Sequence, residues 1–383
     1  MIIGVPKERK NLEKRVAITP YGAQDLIRAG HEVLIETAAG EGADFSDKQY
    51  RDAGCKIMQD LGDVWNNSEL VVKVKEPHEL EYQYFRKDVV LFDYLHLASM
   101  PDVAQAMLEG GLTSIAYELV QLHDGRLPLL EPMSEVAGKL SVLNGSYFLL
   151  SQKGGRGVLL GGVIGVPEAE VVILGAGIAG QCACEMALGM GAHVTVLDIN
   201  YKKLEALHIR YGSSVRTLYS TPGSIESTLR TADLLIGAVL IPGAATPKLI
   251  TRGMIKNMRK GSVFVDISID QGGCAETSRP TSLDEPTFVQ DGVVHYGVCN
   301  MPAQTARTST MALTSATLPY IRAIANEGVV GAIKSKRELR NAVNTVDGRI
   351  TNAVVADSLG LQFTPLEEML SLPPGNLLQV GNG

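Results

Sequence analysis

Arg15, Lys75 and His96 are the residues whose types and predicted places suit chemistry on a small acid. Arg15 falls in the loop after the first apolar run, IIGVP, Lys75 closes VVKVK, and His96 nearly closes the strand predicted over LFDYLHL. A guanidinium grips a carboxylate through two parallel N–H donors, an ammonium adds a point charge, and an imidazole exchanges a proton near neutral pH. Two cations and one titratable ring at strand ends are what proton and hydride transfer on a small carboxylate substrate require. Plainer readings compete. A lone histidine in an apolar strand is more often a hydrogen-bonded core side chain, and Lys73 shares the predicted face of Lys75, so either lysine reads equally as surface.

A second constellation lies near the middle of the chain. Gly175, Gly177 and Gly180 stand in VVILGAGIAG, directly after an apolar strand and before the helical stretch QCACEMALGMGA. The next predicted strand, HVTVLD, ends at Asp198, 18 residues beyond Gly180. Strand, glycine turn, helix and distant acid together form the dinucleotide fingerprint. The first glycine permits the tight turn, the second lets backbone approach a pyrophosphate, and the third lets helix and strand pack closely. The Asp198 carboxylate suits two ribose hydroxyls and repels a 2′-phosphate, so NAD is expected over NADP, with nearby Lys203 softening the preference. FAD uses the same fingerprint and stays open. Further along, Asp266 and Asp270 in VDISIDQGG sit at the end of a predicted strand and read either as carboxylates serving a reaction or as turn aspartates. Asn300 ends VVHYGVCN in the same way. Ser134 reads as a cofactor contact at a domain junction or as a local cap.

The elements that must position these residues alternate strand and helix. The first hundred residues give IIGVP, a helix capped by Thr19-Pro20 and ending near Ala29, and a second, parallel strand over 31–36; strands 70–75, 89–97 and 113–120 and a helix from Pro101 follow. The stretch from Pro132 reads as one long helix, with Val136, Leu140, Leu143 and Tyr147 at helical spacing. GGRGVLLGGVIG, with six glycines in twelve residues, reads as a mobile hairpin or loop. A second run of βα units spans 170–300, and a helix from Thr308 is expected to return to the first domain. The expected fold is therefore α/β with two doubly wound domains, a Rossmann NAD-binding domain over 129–307 inserted in a discontinuous substrate domain of 1–128 plus 308–383.

Composition narrows the function. At 383 residues the chain is long for one domain when domains average roughly 150 residues. Lys plus Arg is 35 against 42 Asp plus Glu, a net charge of −7, which argues against nucleic acid as a partner. No apolar run reaches membrane-spanning length, and no leader pattern opens the chain. Five cysteines form no disulfide or metal framework, so a reducing, cytoplasmic location is expected. Glu13 and Asp291 have no ligand spacing, and no metal site is expected.

The segments GVPKERKNLEKRVAITP, VVKVKEP, FDYLHLA, PLLEPMSEVAGKL, GGRGVLLGG, VILGAGIAG, VDISIDQGGC and NMPAQTARTST give the chain a further property: it resembles the bacterial L-alanine dehydrogenase family over essentially its whole length. The resemblance implies NAD-dependent oxidative deamination of L-alanine to pyruvate, ammonium and NADH, the reverse reductive amination, and a homohexamer. It implies that Arg15 and Lys75 bind the substrate carboxylate and that His96 and Asp270 are the acid/base residues. It places cofactor contacts on Ser134, Ile178, Ala179, Asp198, Lys203, Ser220, Val239, Leu240, Ile267, Arg279, Val298 and Met301, with Asn300 close by. Hydride transfer is expected to be accompanied by closure of the cofactor domain on the substrate domain. The runner-up is the NAD(H)-binding component of a proton-translocating transhydrogenase, similar in fold but without amino-acid chemistry.

Overall fold

The structure is a computed structural model that describes residues 1–240 and 246–370. The chain forms two compact units, one of Met1–Met133 together with the chain from Thr305 onward, the other of Ser134–Gln304. The first segment runs β1 (Ile2–Val5), α1 (Pro20–Arg28), β2 (Glu32–Glu36), α2 (Asp47–Asp52), β3 (Lys56–Met58), α3 (Leu61–Asn67), β4 (Leu70–Lys75), β5 (Val90–Tyr94), α4 (Pro101–Gly110) and β6 (Thr113–Ala116). In the first turn of α5 (Glu131–Phe148) the chain passes into the second unit. That unit comprises β7 (Glu170–Leu174), α6 (Ile178–Gly189), β8 (His193–Asp198), α7 (Tyr201–Tyr211), β9 (Val215–Tyr219), α8 (Pro222–Leu229), β10 (Leu234–Gly237), α9 (Arg252–Lys256), β11 (Val263–Asp266), β12 (Thr287–Gln290) and β13 (Val293–Tyr296). The return segment carries α10 (Ala306–Ser335), β14 (Val343–Val346), β15 (Arg349–Ile350), α11 (Ala353–Leu359) and α12 (Leu366–Leu370).

In the first unit the sheet order is β15-β14-β6-β5-β4-β1-β2-β3, with β14 antiparallel to its neighbours β6 and β15 and every other pairing parallel. The order of the parallel strands reverses between β1 and β4, the kind of switch point where ligands collect at the carboxyl ends of strands. Local chemistry sets these elements. Thr19 caps α1 by accepting the Gly22 N–H at 3.2 Å, Pro20 supplies its first residue, and Ser46 with Gln49 closes a capping box on α2. Ile3, Val5, Val72, Val74, Phe92 and Ile115 bury one face of the sheet, and each such side chain contributes roughly 1.5–3 kcal/mol.

In the second unit the order is β12-β13-β11-β10-β7-β8-β9, parallel except for β12. Its switch point lies between β7 and β10, at the glycine turn.

Several expectations need correction. The strand expected over 89–97 ends at Tyr94; His96 lies beyond it with φ 48°, in the left-handed region. The run to Val120 is strand only through Ala116 and then becomes a 3-10 turn, Tyr117–Leu119. The long helix ends at Phe148, and on it Leu143 and Tyr147 are exposed. The glycine-rich stretch contains one antiparallel bridge, Val163 to Val166. Strands β3, β9, β12, β14 and β15 carried no signal strong enough to be anticipated. The Pro/Gly/Asn-rich end falls outside the described residues.

Candidate active site

Arg15 sits in the loop after β1, almost fully buried, and Glu13 fixes it from one side. Nε donates to Glu13 Oε1 at 2.7 Å, an Nη to Oε2 at 2.6 Å, and the Arg15 backbone N–H to Oε1 at 3.0 Å, while the other Nη lies 3.2 Å from the Met133 sulfur. The guanidinium is thus pre-oriented before any substrate carboxylate arrives. Lys75 ends β4, which is buried along its whole length, and its ammonium is 3.5 Å from Glu76. Burial acts to raise the Glu76 carboxyl, but Lys75 and Lys10 outweigh it and hold it below the usual range. Tyr94 is the common neighbour of the three residues singled out from sequence. It pairs with Lys75 across β4 and β5, its ring stacks on His96 at 6.2 Å between centroids, and burial raises its hydroxyl while the Arg15 charge opposes that rise. The hydroxyl donates to the Leu129 carbonyl.

A buried polar layer involves the same two strands. The surface reading of Lys73 is wrong: it is 1% exposed and bridges Glu8 at 3.3 Å and Glu81 at 3.2 Å. Because β4 is covered on both faces, the face that carries Lys73 meets protein and not solvent. Glu8 also accepts the Val74 N–H at 2.6 Å, and burial, only partly countered by Lys73, pushes its carboxyl up to about 7. Asp93 is fully buried with neither carboxyl oxygen partnered among the described residues, and burial raises it well above the usual range.

In the second unit the glycines behave as their spacing requires. Gly175 has φ 108°, and a Cβ there would lie 2.4 Å from the Ala238 carbonyl oxygen, so the turns after β7 and β10 touch. A Cβ on Gly180 would lie 1.8 Å from the Gly175 oxygen, whereas one on Gly177 would meet nothing within 4 Å. Gly177 begins α6 without a side-chain cap, leaving the first N–H groups of a twelve-residue helix beside open space. These features fit a dinucleotide pyrophosphate. Asp198 accepts the Ala176 N–H at 2.6 Å and the Asn200 N–H at 2.7 Å, one on each oxygen, which retains acceptor capacity on both.

The contacts implied by resemblance are distributed around these turns. Ile178 and Ala179 open α6, Ser220 follows β9 with its N–H on the Asp198 carbonyl, and Val239 and Leu240 follow β10. Ser268 ties Val239 to the turn containing Ile267 and Asp270. Lys203 is exposed on α7. Ser134 stands in the first turn of α5, one turn before Gly138, where a Cβ would lie 2.2 Å from the Ala179 carbonyl oxygen; it belongs to a helix, so the local-cap reading fails. Asp270 and Asn300 come together, the Asn300 N–H donating to Asp270 at 3.2 Å from a left-handed backbone. Arg279 lies over the Phe288 ring at 4.0 Å. Val298 and Met301 are buried in the core of the second unit. Asp266 is a turn aspartate, accepting N–H groups from Ser268 and Cys274 and the Ser278 hydroxyl. Sequence reasoning weighed Glu13 only as a metal ligand and passed over Tyr94 and Glu118. Only their proximity in sequence to Arg15 and His96 signals the first two, and nothing local signals the third. No group of His, Cys, Asp and Glu among the described residues could hold a metal.

The family described as alanine dehydrogenase/PNT matches in both of its parts, the N-terminal domain over residues 4–137 and the C-terminal domain over 141–353. An alanine dehydrogenase of Staphylococcus epidermidis is 50% identical over 371 residues, 97% of this chain and 100% of the relative. One from Mycolicibacterium smegmatis matches to the same extent, 50% over 371 residues, with 97% and 100% covered. A solved L-alanine dehydrogenase superposes with a TM-score of 0.91 at 48% identity, covering 94% of this chain and 99% of that one. A transhydrogenase structure from Sinorhizobium meliloti gives 0.78 at 23% identity over 92% and 99%, a likeness of fold alone. On sequence and architecture together, the chain belongs to the alanine dehydrogenase/PNT family.

Proposed function

We propose that the chain is an L-alanine dehydrogenase: L-alanine, NAD and water give pyruvate, ammonium, NADH and a proton, and the reverse reaction aminates pyruvate. The observation that carries this reading is the gathering of Arg15, Lys75 and His96 around Tyr94 at the switch point of the first unit. Arg15 and Lys75 bind and neutralise the substrate carboxylate, with Glu13 keeping the guanidinium oriented. When bound, NAD supplies the hydride acceptor. The α6 N-terminus and Gly177 would hold its pyrophosphate and Asp198 its ribose hydroxyls. Loss of hydride from Cα of the neutral amine leaves an iminium that water attacks. His96 takes a proton from that water, delivers it to the carbinolamine nitrogen, and takes the hydroxyl proton as ammonia leaves, so that pyruvate forms and the last proton converts ammonia to ammonium. Asp270, tied to Asn300, assists proton movement or holds the geometry of its turn.

The family's other activity, the NAD(H)-binding part of a transhydrogenase, is less supported, because the relatives at 50% identity are alanine dehydrogenases and the transhydrogenase likeness stands at 23%. A homohexamer belongs to the same reading. Exposed Leu143, Tyr147, Leu159, Val163, Ile164 and Val166 on the second unit form apolar surface that association would cover. A cytoplasmic location is supported by five cysteines carried as free thiols. The test is absorbance at the nicotinamide band with L-alanine plus NAD, repeated with NADP and with pyruvate, ammonium and NADH. Reduction with NAD and oxidation in the reverse mixture are expected, whereas cofactor binding without alanine-dependent reduction would favour the transhydrogenase reading.

A further inference from the structure

We infer that Glu118 is a positioning residue for His96, its carboxylate clamping the backbone of the imidazole-bearing residue in a left-handed conformation. The inference deepens the proposed function and rests on His96 being its acid/base residue. β5 ends at Tyr94, and two residues later His96 has φ 48° and ψ 36°. A non-glycine residue there is strained and persists only where its surroundings hold it. Glu118 provides that hold. One carboxylate oxygen accepts the His96 N–H at 2.7 Å, and the other accepts the Leu95 N–H at 3.3 Å.

The carbonyl side of His96 is pinned as well, accepting the Ser99 hydroxyl at 2.9 Å and the Ser99 N–H at 3.0 Å. Fold topology makes the clamp available. β5 and β6 are parallel neighbours, Asp93 opposite Ala116, so the turn after β6 that carries Glu118 emerges at the edge where β5 releases His96. The oxygen bound to the His96 N–H also lies 3.9 Å from Nδ1, too far for a hydrogen bond but near enough to act on the ring's charge. Charge-assisted bonds to two successive amides fix direction better than neutral ones, and the direction of an imidazole decides whether it reaches a proton.

The test compares Glu118→Ala and Glu118→Gln with the wild type, each also in the His96→Asn background. We expect Glu118→Ala to lower kcat by on the order of 10–100-fold, part of what a general base contributes. KM for L-alanine and NADH affinity by fluorescence titration should stay within about threefold, well under a tenfold change in binding constant. Glu118→Gln keeps one acceptor oxygen in the same shape and should fall between the two. In the His96→Asn background, residual turnover measured at high enzyme concentration should drop no further when Glu118 is replaced. Unchanged kcat in either folded variant, KM rising as much as kcat falls, or additive losses in the double variants would overturn the inference. If Glu118→Ala does not fold, Glu118→Gln carries the same comparisons. Ordinary turnover in His96→Asn alone would instead overturn the acid/base assignment of the proposed function.

Discussion

Gly177→Ala and Gly180→Ala change the same atom count three residues apart, yet the structure assigns them opposite consequences. At Gly180 the added Cβ would fall 1.8 Å from the Gly175 carbonyl oxygen, a backbone neighbour that no rotamer change can relieve. Overpacking costs typically 1–3 kcal/mol, here near the upper end, and the better helix propensity of alanine offsets about 1 kcal/mol. A net loss of about 2 kcal/mol in a unit of 171 residues, Ser134 to Gln304, lowers its melting temperature by about 4–8 °C. At Gly177 the φ of −71° suits any residue and nothing lies within 4 Å, so only the weaker cap propensity of alanine remains, about 0.5 kcal/mol, or within about 2 °C. The methyl group nonetheless occupies the space a pyrophosphate needs beside the α6 N-terminus, and NADH affinity should fall at least about tenfold, 1.4 kcal/mol. Calorimetry and NADH fluorescence titration on both variants separate the effects. Gly177→Ala binding as wild type would refute the assignment of this helix end to the phosphates, and Gly180→Ala melting as wild type would refute the close-approach argument.

The buried carboxyls give the first unit a pH signature. Because folding raises Glu8 from 4.5 to about 7, its stabilising contribution is complete below about 4.5 and is lost as pH rises through 7, a difference on the order of 3 kcal/mol. Glu8→Gln should remove that slope, as read from denaturant unfolding by fluorescence of Trp65, the single tryptophan, fully buried in this unit; an identical pH slope in variant and wild type would contradict the assignment. Asp198→Ala removes the carboxylate that accepts the Ala176 and Asn200 N–H groups, and should raise KM for NAD about tenfold while improving the relative rate with NADP. Unaltered discrimination between the two cofactors would place the ribose elsewhere.

The glycine fingerprint was legible because each glycine answers a local steric demand that spacing alone encodes, and Asp198 because it ends the next strand. Thr19-Pro20 was legible for the same reason, since a cap is a contact three residues long. The surface reading of Lys73 fails because it assumes one face open to solvent, whereas β4 is covered on both. His96 was misplaced because LFDYLHL keeps strand-like composition two residues past the point where the chain leaves the sheet. Glu118 was invisible: its role comes from two strands lying side by side, a relation between residues 22 apart in the chain. The short strands β3, β14 and β15 escaped because two to four residues cannot establish a period.

In the proposed reaction the hydrogen on Cα of L-alanine passes directly to NAD. Turnover with alanine deuterated at Cα, followed by mass spectrometry of the reduced cofactor, tests it most directly. One deuterium per NADH formed is expected, with strong loss of the labelled product in His96→Asn; unlabelled NADH, or none with the wild-type chain, would rule out this transfer.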